Sequence, residues 1–406
     1  MGSSTDRSRW TVLYPWVIVA VVWLSGAIYF LNYMTIGTLA PFMKPDLQLS
    51  SAQIGLLCSA VTIGSMIAQI PAGIVCDLFS PGRIIALGLG IIGVSALAVS
   101  SAHSYLGSFS LLVFLGLGVG CNQAPASKAV VLWFPSKGRA TAMGVKQTGI
   151  AVGGFFASIL LPALAVFNDW RFAFQGAGLA SLISAAVVFF LYKNPSPNPG
   201  SGQTRLFRKE FIFRLVWDRD FLLICLTGIL LMIVQYSFST YFILYCHDVL
   251  GMPVQRSGFL LALSFASGAF GRVGWSLLSD FVFGARRKIV VVLIGITGAL
   301  ASAAFIPLGA WDLPYAVYAA AAVFGFVGLG WNAIYLTIAA EFPGSELAGT
   351  ATGMVFLISN LGVIVGPPFF GYLIDATGSY HWSWLFLTLC MTLVAVSSKI
   401  RKKETL

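Results

Sequence analysis

Three cationic side chains, Lys128, Lys146 and Arg272, lie inside long apolar runs of this 406-residue chain. An ionisable group at membrane depth costs at least ~2.5–3.5 kcal/mol on insertion scales, so each is a functional candidate. None of the 14 acidic residues falls at comparable depth; they map to loops, tails or the ends of apolar runs. Three buried cations without a buried acid call for an anion from outside. A substrate carboxylate fits: the planar guanidinium of Arg272 can grip it with two hydrogen bonds, and a lysine adds a point charge. A proton-driven exporter of cations would instead be expected to carry a membrane acid.

Spacing sets their depth. Arg272 precedes Asp280 by eight residues and Lys146 follows Arg139 by seven. At 1.5 Å per residue these are about 12 Å and about 10 Å from the inner helix ends. Lys128 is five residues from Trp133, about 7.5 Å from the edge, within reach of the interface by snorkelling.

Other chemistries find little support. His103, His247 and His381 fall near outer ends of apolar runs, and the six cysteines show no paired spacing. No disulfide and no metal site are expected. The run GLGIIG, Gly88 to Gly93, has spacing like a dinucleotide fingerprint, but it sits within an apolar run with no strand before it. No nucleotide and no cofactor are expected, so a gradient must drive any transport. An enzyme would need His, Asp, Glu or Cys clustered at one depth, which the sequence lacks.

The elements that position these residues follow from composition. Hydrophobic residues make up 58% and charged residues 9%, against roughly 25% charged in a soluble domain. Lipid must cover most of such a surface. Stretches long enough to cross a bilayer occur at 14–41, 54–75, 84–102, 106–133, 140–166, 172–192, 221–246, 258–279, 289–310, 315–340, 347–374 and 382–398. The expected fold class is an all-α membrane protein of twelve transmembrane helices. The first stretch lacks a small-residue cleavage site and reads as a retained span.

An even number of spans puts both termini on one side. With cytoplasmic termini, 18 of the 24 Lys and Arg lie on the inner side and three, Lys44, Arg171 and Arg256, on the outer. That bias orients the chain in an inner (plasma) membrane. It also accounts for the net charge of +10, which removes nucleic acid as a partner.

The polar stretch 193–220 begins KNPSPNPGSGQTR and reads as a linker between bundles 1–192 and 221–406. Its later part, from Leu206 to Trp217, mixes basic and aromatic residues, as expected for a short helix on the inner surface. The halves are weak copies. Asp77 matches Asp280 and Gly55 matches Gly258 at an offset of 203; WFPSKGRATAMG matches EFPGSELAGTATG at 208 to 209. Parallel six-helix repeats put a substrate site between them near the midplane.

The segment GIVCDLFSPGR, Gly73 to Arg83, resembles the loop between the second and third spans of the major facilitator superfamily. The pattern recurs at Asp280 with Arg286 and Arg287. The resemblance implies a conformational latch built from Asp77, Arg83, Asp280, Arg286 and Arg287. The run from Asn32, NYMTIGTLAPFMKPDLQLSSAQIG, is similar to the first loop of organic-anion carriers. The Arg272 to Asp280 spacing is similar to the eighth span of oxalate/formate and monocarboxylate carriers.

In that superfamily spans one, four, seven and ten face the cavity, and spans five and eight face each other. The resemblance therefore implies a substrate site from Arg272, Lys146 and Lys128 with polar neighbours. These are Tyr29, Asn32 and Tyr33 of span one, Asn122 and Gln123 of span four, and Gln147 of span five. From the second half come Gln235, Tyr236, Ser239, Asn332, Tyr335 and Asn360. The expected function is secondary active transport of a small mono- or dicarboxylate by a monomer, with a proton or a counter-anion as co-partner. A proton-coupled drug or metabolite exporter and a non-transporting nutrient sensor are the alternatives.

Overall fold

The computed structural model describes residues 4–134, 136–194, 217–308, 315–342 and 348–400. Most of the linker 193–220, with the surface helix expected from Leu206, lies outside the described residues, and so does the side chain of Asp77. The described elements are helices. In chain order they are α1 (Ser4–Tyr33), α2 (Thr35–Asp46), α3 (Ser51–Leu78), α4 (Pro81–Val99), α5 (Tyr105–Gly120), α6 (Gln123–Trp133), α7 (Ser136–Phe167) and α8 (Trp170–Leu191). They continue with α9 (Arg219–Asp248), α10 (Val254–Leu277), α11 (Arg287–Ala304), α12 (Ala316–Phe324), α13 (Asn332–Glu341), α14 (Ala348–Thr377) and α15 (His381–Ile400). Single π turns extend α10 over Leu278–Val282 and α12 over Gly325–Leu329.

Among the described residues, 11 helical runs are long and apolar enough to cross a membrane. The remaining expected span is α10. Its 24 residues reach about 36 Å, but Arg256, Arg272 and four serines dilute its apolar character.

Two compact units emerge. One comprises Met1–Leu47 and Ala60–Pro197; the other comprises Gln48–Ser59 and Asn198–Leu406. In the first, α1 lies along α7, and α4 along α5 and α8. Small residues permit this closeness: a Cβ on Gly153 of α7 would strike the Ala27 carbonyl of α1. Lipid supplies no hydrophobic drive between helices, so close backbone contact does the work.

In the second unit α9 lies along α14, and α11 along α15. Aromatic rings fill its interior. Phe238 stacks on Phe324 at 4.1 Å and on Phe242 at 4.5 Å, and Phe305 stacks on Trp384 at 4.5 Å. Aromatic pairs contribute roughly 0.5–1.5 kcal/mol beyond area burial. The start of α3 is held in this unit: Asp375 accepts hydrogen bonds from the Ser51 and Ala52 backbone N–H groups, each at 2.8 Å.

Candidate functional site

Two spans are interrupted in the same way. The fourth breaks at Cys121–Asn122, between α5 and α6, and the tenth breaks at Gly330–Trp331, between its π turn and α13. The helices that resume start with amides, Gln123 and Asn332, one pair of positions in the internal repeat. Breaks of this kind free backbone and side-chain polar groups at membrane depth, where irregular structure is tolerated only beside protein or a cavity.

In the first unit the break places Asn122 beside α1. Its Oδ1 accepts from the Ser25 hydroxyl at 3.3 Å, while its buried Nδ2 has no acceptor among the described residues. One turn further along α6, Ser127 donates to the Gln123 carbonyl at 3.0 Å. Lys146 of α7 then donates from Nζ to Ser127 Oγ at 2.9 Å. Lys146 is only 5% exposed. Its partner is a neutral hydroxyl, and no ion pair reaches it among the described residues.

Lys128 points elsewhere. Its Nζ donates to the Cys76 carbonyl of α3 at 2.6 Å, a bond that joins helices α3 and α6. Asn32 is fully buried and donates to Ser181 Oγ at 2.9 Å and to the Ala177 carbonyl at 3.4 Å, both on α8. Tyr33 shares a 2.5 Å hydrogen bond with Thr62. Tyr29 is buried, with its ring edge-on to Phe30, and Gln147 is half-buried beside Lys146.

In the second unit Asn332 donates from Nδ2 to Gln235 Oε1 at 3.1 Å, and Ser239 donates to the Gln235 carbonyl at 2.9 Å. Arg272 on α10 is half-buried, and its charge acts electrostatically on Tyr236 of α9. Asn360 is half-buried on α14. Tyr335 is turned into the helix packing: its hydroxyl donates to the Ile224 carbonyl at 2.9 Å and meets Ser359 Oγ at 3.1 Å. Gly228 makes room for it, since a Cβ there would collide with the tyrosine hydroxyl.

Of the residues singled out for a latch, Arg287 is the hub. It reaches Asp280 Oδ1 through Nη1 at 2.9 Å and both Glu341 oxygens through Nε, at 3.0 and 2.9 Å. Arg286 and Arg83 are exposed. Sequence reasoning did not single out Ser127 or Glu341. Ser127 was signalled by its place one turn after Gln123 in a broken span. Glu341 stood within the matched repeat EFPGSELAGTATG, opposite the apolar Trp133 of the first half.

The Major Facilitator Superfamily profile matches residues 22–366. The chain is 25% identical over 392 residues to the hexuronate transporter of Bacillus subtilis (strain 168), spanning 91% of this chain and 90% of that protein. It is 25% identical over 406 residues to the probable sulfoacetate transporter SauU of Cupriavidus necator, spanning 94% and 92%. Among solved structures, a bacterial homolog of the human lysosomal transporter Spinster, inward-facing and occupied, superposes with a TM-score of 0.80 at 19% identity, over 95% of this chain and 96% of that one. Spans, fold and relatives agree on a multi-pass membrane carrier rather than an enzyme, and the chain belongs to the Major Facilitator Superfamily.

Proposed function

We propose that this chain carries a small organic anion, a mono- or dicarboxylate, across the inner membrane by alternating access. The observation that carries the reading is Lys146: a 5%-exposed lysine inside a span whose partner is the neutral Ser127 hydroxyl. Charge removed from water demands a counter-charge or strong hydrogen bonds. An anion from solution supplies both. Asn122 Nδ2, a buried donor without an acceptor among the described residues, is a second group that an oxyanion would satisfy.

Arg272, with Tyr236, Gln235, Ser239, Asn332 and Asn360 of the same unit, is assigned the substrate carboxylate. Lys146, with Gln147, Asn122, Gln123, Tyr29 and Tyr33, is assigned the second positive charge, for the same carboxylate or for the second anionic group of a dianion, and the substrate hydroxyls. Lys128, Asn32 and Tyr335 support these groups through interhelical bonds. The protein acts as a monomer of two six-helix halves, 1–192 and 221–406, with termini and linker cytoplasmic. The hexuronate and sulfoacetate relatives support an acidic substrate.

The test is binding by the purified chain in lipid nanodiscs, with glucuronate, sulfoacetate, succinate and lactate as probes and choline as the cationic control. Micromolar to millimolar binding of at least one anion, weakened tenfold or more by Arg272→Ala in folded protein, is the expected result. Binding of choline alone, or of no anion in the panel, overturns it.

A further inference from the structure

Lys146 is buried, and among the described residues its only bond is the one to Ser127. The titratable groups on the helices packed against α7 do not answer its charge. On α1, Tyr14 donates to the Leu191 carbonyl, Tyr33 pairs with Thr62 and Tyr29 does not bond to it. On α6, Lys128 is spent on the Cys76 carbonyl. Asp46 of α2 and Arg171 of α8 pair with each other at 2.7 Å, and Lys44 of α2 makes no bond to Lys146. On α7 itself, Arg139 donates to the Phe134 carbonyl.

Burial away from water penalises an ammonium, and an arriving anion stabilises it. The Ser127 hydroxyl is committed as a donor to the Gln123 carbonyl, so toward Lys146 it presents a lone pair. A neutral amine and an ammonium can both donate to that lone pair. The local hydrogen bonding therefore survives a change of protonation state, as a group that exchanges a proton in each cycle requires. Carboxylates are fully ionised near neutral pH and bring no proton of their own.

We propose that Lys146 is the proton-carrying group of the transport cycle: it takes up one proton as the anion binds and returns it as the anion leaves. The step balances as amine plus proton plus carboxylate giving an ammonium–carboxylate pair, with the proton drawn from water on the side of entry. A monoanion and its proton then cross together as a neutral unit, a dianion and its proton with one negative charge left, and the coupling is symport. This inference rests on the organic-anion reading above.

The experiment counts protons per bound anion. Full-length protein in weakly buffered nanodiscs is saturated with whichever of glucuronate, sulfoacetate, succinate or lactate it binds, and an indicator dye reports proton uptake between about pH 7 and 9. Wild type is expected to take up a growing fraction of a proton as pH rises, approaching one per anion. Lys146→Arg, which keeps its charge at every working pH, is expected to bind more weakly but to take up close to none per bound anion. Lys146→Gln, isosteric in part and uncharged, is expected to do the same. In proteoliposomes a pH gradient should accumulate anion several-fold for wild type and not for Lys146→Arg. Binding by wild type without proton uptake overturns the coupling role and leaves the carrier reading standing. Undiminished uptake per anion in Lys146→Arg also overturns it. Failure of every anion to bind overturns the carrier reading, and the coupling role falls with it.

Discussion

Arg287 holds Glu341 side-on: Nε of the guanidinium lies 2.9 and 3.0 Å from the two carboxylate oxygens. The same guanidinium reaches back to Asp280 and Ser279. One side chain thus joins the π turn after α10, the start of α11 and the end of α13. Arg287 is 14% exposed, Glu341 31% and Asp280 52%, so the Glu341 arm is the better shielded.

That asymmetry orders the effects of substitution. Glu341→Gln should destabilise the protein more than Asp280→Asn. A double-mutant cycle between Arg287→Gln and Glu341→Gln should return a coupling on the order of 1 kcal/mol. If the network is a latch, Glu341→Gln also changes the rate of anion counterflow several-fold while anion affinity stays within about threefold. Unchanged counterflow in stable Glu341→Gln protein refutes the latch.

Asp375 should be needed at the start of α3. The first N–H groups of a helix have no intrahelical partner, and the Asp375 carboxylate accepts two of them. Asp375→Ala is expected to cost about 1–2 kcal/mol, the range for losing an N-terminal cap with a favourable dipole term. Hydrogen–deuterium exchange should show the amides of Ser51 and Ala52 losing protection first, and unaltered protection there contradicts the assignment.

Arg272 should show a chemical preference that a structural cation lacks. Lysine keeps the charge and loses the fork, so Arg272→Lys should weaken anion binding about tenfold or more, and Arg272→Ala should abolish it. Measuring membrane yield beside affinity separates the roles. A purely structural arginine lowers yield and leaves affinity intact.

The proposed orientation is open to labelling. Cysteine placed at Asn194 should react with a membrane-impermeant maleimide only after cells are broken, and cysteine at Ser379 should react in intact cells. The native cysteines are buried or half-buried, which keeps background labelling low. Labelling of intact cells at Asn194 inverts the topology.

The amino-acid sequence by itself determined the membrane class, the spans and the repeat, because these are written in local composition and period. A run of about 20 apolar residues can hardly avoid the bilayer, and a Lys or Arg within it is visible at once. Tertiary structure alone decided what each polar group touches. Asn32 bonds α8, Tyr335 bonds α9 and α14, and Lys128 bonds α3. In a soluble helix a polar face marks the outside and an apolar face the core. These helices are apolar on every side, since lipid and protein interior both accept apolar groups, so periodicity carries no sign of direction. Which neighbour receives Lys146 was likewise settled only when α6 and α7 came together and set Ser127 at 2.9 Å from its nitrogen.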